Sequence, residues 1–552
     1  MRPFLLLLAL AGTALCEDVV RQASQARLWL RVGEGGAPLP DVQVSAGSAS
    51  PLSSGKETPP KDQATDVSFP IHWWSWSNIT ISFTPSQDES VEIILNGPWT
   101  GGKDGKPLRQ EILWDSIQAT GATIENPGFE TQTDGTPTGW KSSYGPYLKS
   151  GEWPLDTIEP MEGKNVAATW HNRPLSQIIQ VKAGQLVTLQ FQAKSATPPG
   201  FVAPKRLPAN TAAHKAAARL KRGMNLGNCW EAPPPYTWGI RFTADDIDRI
   251  AAEGFDHIRV PVAWQHYLKP GDSGQVIDPA LLADLEPVLR RALEKKLHIL
   301  LDWHHFDDLT TDPVANRARF VQGWKTITTH FKSWPEALYF ELLNEPRDAL
   351  TTEVANDLYA ETLAEIRRIC PDRAILVSPG SYGDIKELDR LKLPDQDDHL
   401  IVTLHCYDPF YFTHQKAGWV QLGGLRGLRY PGPPASPLEV PASMQDNEAV
   451  KNFIHDYNTL PADRNPSSAI SIRKLLDAAR AWSEYFGRPV HLGEFGSHDA
   501  GDLESRLRYT RDVRTMAEAR GIPWTLWEWK ASFGYWDSNN NKALLREALT
   551  GN

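Results

Sequence analysis

The feature that most constrains this chain is an alternation. From about residue 221 onward, short apolar stretches of strand character alternate with helical patterns. Eight such strands fall near residues 221–225, 257–262, 298–303, 338–343, 374–378, 400–405, 489–494 and 523–527. Strand–helix alternation implies a parallel sheet, because parallel neighbours need a crossover connection. Eight units in this length fit a (β/α)8 barrel, with a doubly wound sheet as the other topology the pattern allows.

Local signals agree with the alternation. Asp278-Pro279 sets a capping residue before a proline at the first helical position. Leu281, Leu282, Leu285, Val288, Leu289, Ala292 and Leu293 then keep helical spacing on one face, and His298-Ile-Leu-Leu301 follows as a buried type of strand. Thr243, with Asp246 three residues on, opens another helix, which Gly254 ends before Ile258-Arg-Val260.

Residues 17–196 carry no long helical period. Ile79-Thr-Ile-Ser-Phe83, Val91-Glu-Ile-Ile-Leu95 and the alternating Leu186-Val-Thr-Leu-Gln-Phe-Gln192 predict strands of a β-sandwich. Residues 197–210 hold Pro198, Pro199, Pro204 and Pro208 and read as a semi-rigid linker to a barrel domain at 211–552. Before the sandwich, Arg2, the apolar run Phe4 to Leu10 and the small residues Ala11 to Ala14 read as a signal peptide over residues 1–16. A secreted or periplasmic location follows. Lipidation at Cys16 is the lesser alternative, because Leu15 suits a lipobox poorly. No later stretch reaches the ~18 apolar residues of a membrane helix.

Four cysteines, Cys16, Cys229, Cys370 and Cys406, are too scattered for a zinc pattern or a disulfide framework. The net charge of −10 argues against a basic stripe for nucleic acid. The 21 tryptophans against 14 tyrosines suit either flat, apolar ligand faces or large cores and interfaces.

Polar residues gather where the strands end: Asn225 and Asn228, Arg259, His304 and His305, Asn344 and Glu345, His405 and Tyr407, Glu494, and Trp527. A barrel collects its strand tips at one mouth, so these side chains converge there. A carboxyl pair across a barrel mouth suits acetal hydrolysis, with one acid protonating the leaving oxygen and the other carboxylate attacking the anomeric carbon. Arg259 and Tyr407 would keep Glu494 ionised. Asn344 would bind the sugar 2-hydroxyl, the histidines would bind hydroxyls and tune the acid, and Trp527 would stack under a sugar. Asp302-Trp-His-His305 offers too few spaced ligands for a metal site, so no metal is expected.

Residues 215–540 resemble glycoside hydrolase family 5, the cellulase family. The motifs are Arg222-Gly-Met-Asn-Leu-Gly-Asn228, Gly254-Phe-Asp-His-Ile-Arg-Val-Pro261, Leu301-Asp-Trp-His-His305, Phe340-Glu-Leu-Leu-Asn-Glu-Pro346, His405-Cys-Tyr-Asp-Pro-Phe410, Leu492-Gly-Glu-Phe495 and Leu526-Trp-Glu-Trp529. The resemblance implies a retaining mechanism without cofactor, with Glu345 as acid/base and Glu494 as nucleophile. Arg259, His304, His405, Tyr407 and Trp527 fall on its sugar-site positions. Glu231-Ala-Pro233 and Phe412-Thr-His-Gln415 resemble a bacterial endoglucanase branch that includes glucan- and mannan-cleaving members. There Asn228, Glu231, His305, His414 and Trp419 resemble hydroxyl-binding and stacking residues. Cys406 and the long stretch 423–465 depart from that pattern.

The expected activity is an endo-β-1,4-glucanase acting on a polysaccharide or oligosaccharide as a monomer. The alternatives are a β-mannanase, an exo-β-glucosidase whose cleft the long loop closes, and a non-catalytic glycan-binding protein. The sandwich resembles bacterial carbohydrate-binding modules, through Asn126-Pro-Gly-Phe-Glu130 and Gly139-Trp140, in permuted order. Trp73, Trp74 and Trp76 would form a sugar platform or pack an interface.

Overall fold

The computed structural model describes residues 25–33, 37–44, 48–51, 64–98, 110–133, 135–142, 160–197, 203–234, 238–271, 274–462 and 464–550. The signal-peptide reading, Cys16 and residues 198–202 lie outside the described residues. The chain divides into two compact units, Met1–Ala203 and Pro204–Asn552.

In the first unit, two antiparallel sheets share one core. One runs in the order 141–142, 175–181, 89–96, 25–32, 65–70 and 48–51, and the other in the order 167–169, 112–120, 187–195, 77–83 and 43–44. Leu28, Val67, Ile93 and Ile179 from the first sheet meet Ile81, Trp114, Leu189 and Phe191 from the second. The alternating burial along Leu175–Val181 and Val187–Ser195 is the period-2 pattern of strands with one face on a core. Trp73 and Trp74 are buried, Trp74 stacks on His72 at 4.6 Å, and Trp76 packs against Leu113, Val166, Ala168 and Ala196.

The second unit is a closed barrel of eight parallel strands. These are β1 (Arg222–Asn225), β2 (His257–Val262), β3 (His298–Trp303), β4 (Leu338–Glu341), β5 (Ile375–Val377), β6 (Leu400–His405), β7 (Val490–Glu494) and β8 (Trp524–Leu526). The ladder closes where β8 pairs with β1 through Arg222↔Trp524, Gly223↔Thr525 and Met224↔Leu526. This is the barrel, not the doubly wound alternative. Apart from the first residues of β1 and β3, its strands are buried throughout, which explains why they read as apolar runs rather than alternating ones.

The helix signals take the geometry their residues dictate. The Asp278 side chain accepts from the Ala280 N–H ahead of helix Pro279–Glu294, whose Leu281, Leu285, Val288, Leu289 and Ala292 are buried. Thr243 and Asp246 form a reciprocal capping box on helix Ala244–Ala252. Gly254 then turns the chain at φ +84°. The long stretch after β6 contains an additional helix, Glu448–Thr459. Its Phe453 lies 4.4 Å from Tyr411, and the Tyr457 hydroxyl accepts from the Arg429 N–H at 2.9 Å.

Candidate active site

The mouth of the barrel is organised around Arg259 of β2, which is fully buried. Its Nη1 donates to Glu494 Oε1 at 2.8 Å and to Asn225 Oδ1 at 3.0 Å. Its Nε and Nη2 form a two-point bond to the Glu341 carboxylate at 2.9 and 2.6 Å. Nη2 also donates to Asn344 Oδ1 at 2.6 Å and pairs with Asp302 Oδ2 at 2.9 Å. One guanidinium thus meets three carboxylates, in the fixed fork that only arginine presents. The strand roles of Asp302 and Glu341 were not read from the sequence. The available signal was a carboxylate inside each of two apolar strands, which packing alone gives no reason to keep.

Glu494 ends β7, and Tyr407 donates its hydroxyl to Oε2 at 2.7 Å. Glu345 follows β4, with Oε1 2.8 Å from His405 Nδ1. That same His405 nitrogen is 3.7 Å from Glu494 Oε2, so His405 sits between the two glutamates. A donor atom of Glu345, one of His405 and one of Glu494 all lie within 4.8 Å of each other. Those three could cluster on a cation, but Glu494 already accepts from Arg259 and Tyr407. A guanidinium at 2.8 Å opposes a second positive charge there.

The two glutamates stand in different fields. Burial pushes Glu494 up from the ordinary carboxylate value, while the Arg259 guanidinium and the Tyr407 hydroxyl pull it back. Glu345 has no arginine bonded to its carboxylate, and burial pushes it up to about 7. Burial and the nearby positive charge keep His304 and His405 neutral near pH 7.

The aromatic residues surround this pair. Trp527 follows β8 and lies parallel to His304, centroids 5.4 Å apart at 8°. His305 meets His304 edge-on at 4.6 Å, and Trp238 meets His305 edge-on at 6.3 Å. On the other side, Tyr407 contacts His414 at 4.9 Å and Phe533 at 6.1 Å. Phe410 stacks on His414 at 4.2 Å. Trp419 is 65% exposed, 6.4 Å from Phe533 and 5.8 Å from His498. The structure therefore gathers His304, His305, Asn344, His405, Tyr407, His414, Trp419 and Trp527 around Glu345 and Glu494. Phe533 joins them, as do Trp238 and His498, which had not been singled out.

The loop after β1 departs from expectation. Asn228 adopts φ +67°, a conformation asparagine tolerates. Its side-chain amide donates to Glu528. Glu231, expected to bind a hydroxyl, is turned inward and buried. Its two oxygens accept from the backbone N–H of Asn228 and, at 2.9 Å, of Cys229. It fastens the loop, and burial pushes it up to about 8. Gly227 has no room for a side chain, since a Cβ there would lie 2.6 Å from Glu528 Oε2 and 2.7 Å from the Trp527 ring.

Comparison with known proteins matches this chain to the Cellulase (glycosyl hydrolase family 5) model over residues 216–533. Endoglucanase C of Acetivibrio thermocellus is 29% identical over 326 residues, covering 56% of this chain and 91% of that protein. Endoglucanase H of the same organism is 27% identical over 322 residues, covering 58% of this chain but only 31% of the relative's length. Among solved structures, endoglucanase Cel5A of Thermotoga maritima is 31% identical, with 61% of this chain and 98% of that one covered at a TM-score of 0.52. The family match spans the whole barrel and both glutamates, so the chain belongs to glycosyl hydrolase family 5, the cellulase family.

Proposed function

We propose that this chain is a retaining endo-β-1,4-glucanase in which Glu345 is the acid/base and Glu494 the nucleophile. The observation that carries the reading is the closeness of the two carboxylates, with oxygens within 4.8 Å and different hydrogen-bond partners. Retaining chemistry needs the carboxyl groups roughly 5–5.5 Å apart, because no water fits between nucleophile and anomeric carbon.

In the first step a Glu494 oxygen bonds to the anomeric carbon as its bond to the leaving oxygen breaks. Glu345 gives its proton to that oxygen. In the second step Glu345 takes a proton from water, the water oxygen bonds to the anomeric carbon, and Glu494 leaves as carboxylate. Arg259 and Tyr407 orient Glu494 and favour its ionised form. The pull of Arg259 is shared with Asp302 and Glu341, which leaves the attacking oxygen less neutralised than a dedicated ion pair would. Asn344 and the histidines bind sugar hydroxyls, and Trp527 supplies the apolar face. No cofactor enters either step.

Cel5A of Thermotoga maritima is described in complex with cellobiose and with mannotriose, which makes β-mannan the second polymer to test. The first unit we read as a glycan-binding module on its sandwich architecture. Residues 1–16 we read as a signal peptide, which sequencing the amino terminus of exported protein tests.

Product release from carboxymethylcellulose, mixed-linkage β-glucan and β-mannan, with Glu494→Gln as blank, decides among the readings. Short oligomers from the glucans support endo action. Single sugars alone, or no attack on polymer, would replace it with an exo-glucosidase on short chains.

A further inference from the structure

Arg347 closes the turn Asn344-Glu-Pro-Arg347 that carries Glu345. Its side chain is only 18% exposed and is held on several sides. Nη2 pairs with the Asp307 carboxylate beyond β3, and Nε lies 3.7 Å from Asp348. Nη1 lies 3.4 Å from the main-chain carbonyl oxygen of Glu345. The guanidinium carbon sits 5.7 Å from the centre of the Tyr382 ring, a cation–π contact. Tyr382 is itself placed at a cost. It and Ser381 adopt φ +66° and +51°, in the left-handed region that side-chain-bearing residues avoid. Backbone strained in this way persists only where its surroundings enforce it. Here the Tyr382 N–H donates to the Pro346 carbonyl at 3.1 Å, which ties the loop after β5 to the turn bearing Glu345.

The other groups around the Glu345 carboxyl leave Arg347 a distinct part. His405 of β6, bonded at 2.8 Å, is neutral, and so are His304 and His305 at the tip of β3. Glu341 of β4, Asp302 of β3 and Glu494 of β7 bring like charge, which opposes ionisation of Glu345. Tyr407 gives its hydroxyl to Glu494. Arg259 divides its charge among Glu494, Glu341 and Asp302, all three buried. The counterion of Arg347 is instead Asp307, 75% exposed and so screened by water. Burial raises Glu345, and the Arg347 charge opposes that rise ahead of the Arg259 charge.

We propose that Arg347 is a positioning residue for proton transfer: a fixed cation that, without bonding the Glu345 carboxyl, favours the carboxylate left behind when the proton passes to the leaving oxygen. The proposal rests on the reading of Glu345 as the acid/base.

Profiles of kcat/KM against pH on mixed-linkage β-glucan are compared for the full chain and its Arg347→Gln, Arg347→Met and Arg347→Lys variants, with thermal melts to establish folding. Removing the positive charge makes ionisation of Glu345 harder. The basic limb should therefore move up by about 0.5–1 pH unit in Arg347→Gln and Arg347→Met, and the acidic limb by less. Arg347→Met repeats the test on an unbranched side chain should the Gln variant fold poorly. Arg347→Lys keeps the charge and should hold the basic limb at its wild-type position. A basic limb unmoved in the uncharged variants, or moved as far in Arg347→Lys, would overturn the proposal. A wild-type profile with no basic limb near neutral pH would instead sink the reading of Glu345 as the acid.

Discussion

At the scale of single residues, the site works by giving two identical side chains different surroundings. Because Glu345 must carry a proton to act as an acid, activity should fall as pH rises through about 7, the value to which burial pushes it. The acidic limb reports protonation of Glu494, and both limbs belong to the coupled pair rather than to one residue. A profile of kcat/KM against pH on mixed-linkage β-glucan checks this, and a flat response from pH 6 to 9 would refute it. Tyr407→Phe removes one charged hydrogen bond of 2.7 Å. We expect about a 10- to 100-fold loss of kcat/KM, matching the ~1.5–3 kcal/mol of a bond to an ionised group, with folding unaffected. Glu494→Gln should lose at least ~10²–10⁴-fold while still retaining glycan in affinity electrophoresis.

At the scale of elements, the strand tips are held together by backbone as much as by side chains. Trp527 N–H donates to Phe495 O at 2.9 Å, and Cys406 N–H to Glu494 O at 3.0 Å. This tight approach leaves no space at Gly496, where a Cβ would lie 2.1 Å from the Trp527 carbonyl oxygen. Gly496→Ala should destabilise the barrel by about 1–3 kcal/mol, read from urea denaturation, because backbone cannot swing aside as a side chain can. The eight strands were legible in the sequence because parallel strands buried on both sides become continuous apolar runs, and the helices because their caps and spacing are local signals. Most of the site was legible for a related reason, since a polar residue at the end of an apolar run has few structural uses. Asp302, Glu341 and Trp238 were not assigned roles, because those depend on which strands become neighbours or where a loop tip comes to rest. Glu231 misled for the same reason: its spacing shows the loop it belongs to, but not that its oxygens turn back to the loop's own N–H groups. The long stretch after β6 was expected to bear on the cleft. Its helix Glu448–Thr459 reaches Tyr411, next to the Phe410 that stacks on His414.

At the scale of the molecule, each unit has its own core, and no helix among the described residues is long and apolar enough to cross a membrane. Residues 204–552 alone should hydrolyse soluble β-glucan within about twofold of the full chain. Retention on insoluble polysaccharide should drop if the sandwich binds glycan. The arginine at the centre of the barrel sets how this molecule comes apart. Arg259→Lys breaks the two-point bond and strands buried carboxylates, for an expected loss of about 3–5 kcal/mol in a denaturant titration. Arg259 also bonds residues on or just beyond β1, β3, β4 and β7. A single desolvated side chain that spans five of eight staves acts as a keystone. Wetting it from any side would release all of them together, so loss of the reacting groups and opening of the wall are expected to coincide. Inactivation and collapse of the barrel then share one midpoint.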